Sequence, residues 1–250
     1  MKLILIILTF FCLNTSYSKE ISLCHGLEEY PPFIYSEKSK DKGLSIESIE
    51  YISSQIGFTI KWFRLPWKRC MSEIQKNNID GSINVIYFKE REKFFRYPSK
   101  NNLIDKKYNL FHINYFLFTS LKSKLSWDGH KLNNQKYQIG SSLGYATTNL
   151  LKKLKVPYYE SFDSDKLFSL LLHKKLDGVV TLKRKGENIL HKLNVSDEIV
   201  RNPIPFFSNL DYMVFSHKTD PKVSKKFWNE IQLFKKSKKF KDLAKKYDYK

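Results

Sequence analysis

The chain has 250 residues, 42% of them hydrophobic and 28% charged, which is ample for a packed core in one or two domains. Its formal net charge of +19 would point to nucleic acid in a cytosolic protein. Here lysine dominates and is spread along the chain with no aromatic-and-basic recognition motif, so no nucleic-acid partner is expected; a solvated lysine-rich surface is the reading, with attraction to anionic headgroups or acidic ligands as the sharper alternative.

Residues 1–18 read as a secretory signal peptide. Lys2 supplies the charged start, Leu3 to Leu13 the apolar run, and Ser16-Tyr17-Ser18 the small residues for cleavage before Lys19. That run is shorter than the ~20 apolar residues that span a bilayer, and no other stretch approaches that length. Thr9-Phe10-Phe11 before Cys12 lacks the small residue of a lipoprotein signal, so an exported protein without a lipid anchor is expected.

Glu20 to Cys24 alternates as a first strand and leads into Glu28-Glu29-Tyr30-Pro31-Pro32-Phe33, where two prolines preclude regular structure and present Tyr30 from a stiff loop. Ser45 is placed to cap a helix with Ile46, Ile49, Ile52 and Ile56 on one stripe, and Gly57 to close it. Phe58, Ile60 and Trp62 alternate as a half-buried strand. Pro66 then opens a helix with Trp67, Met71 and Ile74 at helical spacing. An Ile79-Asp80-Gly81 turn follows, and the buried strand Ser82 to Ile86 delivers Glu90-Arg91 to a sheet edge of the kind where ligands of open α/β sheets sit.

Tyr108 to Thr119 reads as a β crossing between two lobes. Lys136 to Ile139 is a strand, Gly140 to Gly144 a loop, and Thr147 or Thr148 the cap of a helix through Leu150, Leu151 and Leu154. Strand, small-residue loop and helix N-terminus together make an anion site, with Ser142 and the loop amides as its donors. Leu167 to Val180 repeats the helix, Asp-Gly turn and β-branched strand of the first half. Leu210 to Phe215, after Pro203 and Pro205, is the return crossing. Val223 to Tyr247 forms two amphipathic helices broken at Ser237.

Tyr30-Pro31-Pro32-Phe33, the two Asp-Gly turns, Glu90-Arg91, the Gly140-Ser141-Ser142 loop and the basic C-terminal helix occur in this order in the bacterial extracellular solute-binding proteins, family 3. Nearly the whole mature chain resembles that family. The resemblance implies an α/β, two-lobed periplasmic binding protein fold (type II-like), with residues 19–112 plus 212–250 in lobe 1, residues 113–211 in lobe 2, and a two-strand hinge between them. It implies binding, not catalysis: a monomer in the periplasm captures a small polar, carboxylate-bearing solute, an amino acid or related compound, by hinge closure and delivers it to the membrane permease of an ABC transporter.

In the family's pattern an aromatic residue at Tyr30 stacks on the ligand, Trp67 faces it, Arg91 forks onto a carboxylate, and Asn84 holds a hydrogen-bonding position. Arg69, Ser142 and Tyr145 complete the expected set. The competing readings are a Tyr30 that only packs its loop, a solvated Arg91, and an Arg69 paired with an acidic neighbour. Amino-acid receptors of the family carry an aspartate where this chain has Leu182, followed here by Lys183-Arg184-Lys185, and a threonine where it has Phe88. The missing carboxylate and the added cations imply an anionic or weakly charged solute, unless Asp163 or Asp165 substitutes.

Removal of the signal leaves Cys24 and Cys70, an even number in an oxidising compartment; a disulfide is expected, two separately buried thiols being the alternative. Gly140-Ser141-Ser142-Leu143-Gly144 literally matches a nucleophile elbow, but little chain follows it and no histidine pattern accompanies it. A secreted dehydratase- or hydrolase-like enzyme on the same fold is therefore the second reading, and an orphan ligand-sensing or partner-binding domain the third. The six histidines, at positions 25, 112, 130, 173, 191 and 217, show no zinc spacing, so neither metal nor cofactor is expected.

Overall fold

The computed structural model describes residues 19–37 and 39–249, so the signal segment expected at residues 1–18 lies outside the described residues. The first half runs β1 (Lys19–Gly26), α1 (Leu44–Gln55), β2 (Phe58–Leu65), α2 (Trp67–Gln75) and β3 (Gly81–Ile86). The short pair β4 (Ser99–Lys100) and β5 (Leu103–Ile104) precedes the long strand β6 (His112–Ser120). The second half is β7 (Ile139–Ser142), α3 (Ala146–Lys153), β8 (Tyr158–Ser161), α4 (Ser164–Leu172), β9 (Gly178–Leu182), α5 (Lys183–Leu193) and β10 (Ile199–Arg201). Strand β11 (Phe207–Phe215) returns to the first half, and α6 (Pro221–Phe234) and α7 (Lys238–Lys246) finish the chain.

The main sheet is ordered β2-β1-β3-β11-β6-β9-β7-β8, with β10 alongside β6. Strands β1, β2 and β3 pair in parallel, as do β7, β8 and β9; each such strand followed by a helix is the unit that buries a parallel sheet on both faces. Strand β11 joins the two halves by changing partners along its length. Phe207 to Leu210 lie opposite Tyr115 to His112 of β6, whereas Asp211 to Phe215 lie opposite β3. With β6 carrying the chain in the other direction, the molecule is two α/β lobes joined by a two-strand hinge.

In the first lobe Leu23, Ile49, Ile52, Phe227 and Ile231 pack one face of the sheet, and Cys24, Cys70, Ile74 and Val214 the other. Cys24 and Cys70 are disulfide-bonded, with Cα atoms 5.7 Å apart, and the bridge ties the end of β1 to the first turn of α2. Ser237 caps α7 by accepting from Phe240 N, which accounts for the break between the last two helices.

Three local expectations are corrected. The α1 cap is Gly43 at φ 128°, and Ser45 is buried inside the first turn with its hydroxyl unpartnered. Gly140 to Ser142 are strand, because Gly140 lets β7 close against Leu176 and Val179; a Cβ there would stand 2.8 Å from Leu176. Neither Thr147 nor Thr148 caps α3, whose N-cap is Tyr145. Thr147 instead shares a hydrogen bond with Ser141 and Thr148 with Glu160.

Candidate functional site

A narrow cavity lies where the carboxyl ends of β1 and β3 face the start of α3 across the hinge. Its wall is formed by His25, Glu28, Tyr30, Trp67, Asn84 and Arg91 of the first lobe, Tyr115 of β6, and Tyr145 and Ala146 of the second, with Gly26 and apolar Ile34, Ile83 and Ile86. Strand ends of this kind gather side chains from distant sequence positions at one open edge, which is why ligands collect there.

Tyr30 is fixed by a tight turn in which its N–H donates to Ile34 O and its carbonyl accepts from Phe33 N. Its hydroxyl lies 2.7 Å from that of Tyr115, and burial pushes its pKa well above the usual tyrosine value, so it stays a neutral hydrogen-bonding group. Tyr145 meets Tyr30 and Trp67 edge to face, at ring-centroid distances of 6.1 and 6.2 Å. The three rings bring the lobes into aromatic contact.

Asn84 interrupts β3 with φ 55°, a left-handed conformation that asparagine tolerates better than most residues. The interruption resets the strand's alternation, so Ile83 packs with the α1 side of the core and Val85 with the α2 side. The Asn84 amide donates to Asp211 Oδ2 at 2.6 Å, while its Oδ1 is buried without a partner. Asp211 is fully buried, also accepts from Phe111 N at 2.8 Å, and is pushed up to about 7 by burial.

Arg91 sits in a single 3₁₀ turn (Lys89–Arg91) just past β3. Its Nη1 donates to Ile86 O at 2.9 Å, and its guanidinium lies 5.2 Å from the Phe88 ring. Among the described residues no carboxylate is paired with it. His25 has its pKa lowered by burial; its Nε2 lies 3.1 Å from Asp41 Oδ2 without the alignment of a hydrogen bond.

Tyr30, Trp67, Asn84, Arg91 and Tyr145 thus line one cavity, and two other expected site residues do not. Arg69 is exposed on α2 with its Nε 3.9 Å from Glu73, the acidic neighbour of the competing reading. Ser142 is buried, 3.4 Å from the Ser164 hydroxyl and off the cavity wall. The anion site expected beside it is filled from within the chain, since Glu160 accepts from Gly144 N at 2.9 Å and Thr148 Oγ1 at 3.0 Å, and Leu143 N donates to Ser161 O. Leu182 is buried opposite Tyr115. Neither Asp163 nor Asp165 reaches the inner wall: Asp163 caps α4, and Asp165 pairs with Lys192.

Glu28 was not among the expected residues. Its carboxylate crosses between the lobes, accepting from Ser164 N at 2.8 Å, Ser164 Oγ at 3.0 Å and Lys185 Nζ at 2.7 Å. It lines the inner cavity and also an outer cleft walled by Arg64, Asp163, Lys185 and Lys192, so the Glu28–Lys185 pair is the partition between them. The only sequence signal was an acid two residues before Tyr30.

A lobed α/β molecule with an edge cavity at its hinge defines a class, the solute-binding proteins. The chain belongs to the bacterial extracellular solute-binding proteins, family 3, whose model matches residues 24–249. No curated protein sequence matches it. Among solved structures it is similar to an ancestral arginine-binding protein bound to arginine, at 17% identity and TM-score 0.72, covering 91% of this chain and 97% of that one. It is similar also to a structure described for glutathione import via GshT and the cystine ABC importer TcyBC of Streptococcus mutans, at 17% identity and TM-score 0.75, covering 92% and 95%. A histidine kinase sensor domain with similarity to periplasmic binding proteins matches at 12% identity and TM-score 0.77, covering 91% and 95%. At these identities the likeness is one of fold.

Proposed function

We propose that the protein is a periplasmic receptor that captures a small carboxylate-bearing solute by closing its two lobes and presents it to the permease of an ABC transporter. The observation that carries this reading is Arg91, a guanidinium on the wall of the interlobe cavity with no carboxylate of its own. Such a group is matched in geometry and charge by a planar carboxylate, which accepts two parallel hydrogen bonds. Family membership, and the resemblance to an arginine-binding protein and to the structure described for glutathione import, support the same reading.

The mechanism is a population shift. A ligand held by Arg91 and Asn84 in the first lobe and touched by Tyr145 from the second gains contacts in the closed form that the open form lacks, and only that difference drives closure. Thermal-shift titration of refolded protein against amino acids, other carboxylates, polyamines and short peptides tests it, since a ligand that binds only the native state raises the melting temperature. A carboxylate hit that disappears in Arg91→Ala supports the receptor; hits confined to polyamines overturn the role given to Arg91.

A further inference from the structure

Charge on the inner wall is sparse. Glu28 supplies the one carboxylate there and Arg91 the one guanidinium or ammonium among the described residues. The Glu28 carboxylate is already held by Lys185, whose side chain is only 8% exposed, and by both donors of Ser164. His25 adds no charge near neutrality because burial lowers its pKa, and Asp211 stands behind Asn84, off the wall. Arg91 is thus the one charge without a counter-charge.

We infer that Lys185 sets the substrate class of this site: by holding Glu28, it withdraws the cavity's carboxylate from any ligand ammonium and selects carboxylates that carry a neutral donor, such as 2-hydroxy acids, over zwitterionic amino acids. The inference rests on the reading of Arg91 as the carboxylate clamp. A ligand carboxylate neutralises Arg91, whereas an ammonium beside it enters a buried wall with no anion left to meet it, and an unpaired buried charge is costly. A hydroxyl needs no such partner. The Asn84 Oδ1, 92% buried with its residue and unpartnered, is an acceptor for it, and the Asn84 amide is held by Asp211 with that oxygen left over.

Matched pairs that differ only in this group test the assignment by titration calorimetry: alanine and lactate, leucine and 2-hydroxyisocaproate, phenylalanine and phenyllactate, all of L configuration. For at least one pair the hydroxy acid binds the unaltered protein about tenfold or more tightly than the amino acid. In Lys185→Met, Glu28 loses its cation and the preference narrows or reverses. In Glu28→Gln, Lys185 loses its anion and the preference widens; this change, at a side chain 28% exposed, also guards against a Lys185 variant that fails to fold, which the melting temperature reveals. Amino acids binding as well as their hydroxy counterparts, or a ratio that neither variant moves, overturn the role of Lys185 and leave the receptor standing. Silence from all six compounds overturns the carboxylate reading of Arg91 with it.

Discussion

The two walls of the cleft are built on opposite terms. In the first lobe polar groups are left open: Arg91 has no acid and Asn84 Oδ1 no donor. In the second lobe they are closed off by the chain itself, Gly144 N and Thr148 by Glu160, and Ser164 and Lys185 by Glu28. In the proposed receptor the first wall would serve as the recognition surface and the second as the lid. Rigidity follows the same division, because the disulfide pins α2, and with it Trp67, to β1, and no second bridge pins the lid among the described residues.

The sharpest way to break this contrast is to unpin the recognition wall. Replacing Cys24 and Cys70 together by serine removes a bridge between residues 46 positions apart and lowers unfolding stability by about 4 kcal/mol, measured by denaturant titration. A loss confined to well under ~1 kcal/mol would show that the wall is held by packing alone. Next in size is Arg91→Ala, which weakens ligand binding by roughly 100-fold in calorimetry, as expected for loss of a charged, two-pronged contact, while leaving the melting temperature of the unliganded protein nearly unchanged.

Asp211 tests the hinge between the walls. Its folded pKa of about 7 lies above its ordinary value of 3.8, so over that interval the folded state holds a proton that the unfolded state has released. The contribution of this group to stability is therefore full at low pH and falls by about 1.4 kcal/mol per pH unit up to about 7, then levels. The difference in unfolding free energy between the parent and Asp211→Asn, followed from pH 4 to 8, should carry that slope; a difference that is flat with pH refutes it. Smallest of all, Ser142→Ala and Arg69→Ala should each change ligand affinity by less than about twofold, because one is off the wall and the other exposed.

Much of the scaffold was legible because local signals agreed with the global fold. Alternation in Glu20 to Cys24, the isoleucine stripe of α1, the Asp-Gly turns and the Ser237 break each depend on neighbours a few residues away. The position of Arg91 was readable for the same reason, since a strand leading out of a turn has only one end to deliver it to. The lid was misread because its donors are satisfied at a distance. Glu160, 16 residues beyond Gly144, fills the site read at Ser142, and Glu28 meets partners 136 and 157 residues away. No periodicity reports such pairings. Asn84 misled more subtly: it read as one residue of a regular strand, and its left-handed backbone resets the faces on either side.

The last described residues tie back to the second lobe and to the hinge strand. Asp248 accepts from Arg184 of α5 at 2.6 Å, and the Tyr249 hydroxyl accepts from His112 N at 2.9 Å, where β6 begins. A fluorescent reporter joined behind Tyr249 would therefore be coupled to both the second lobe and the hinge strand, and its signal would follow solute capture without a label inside the cleft.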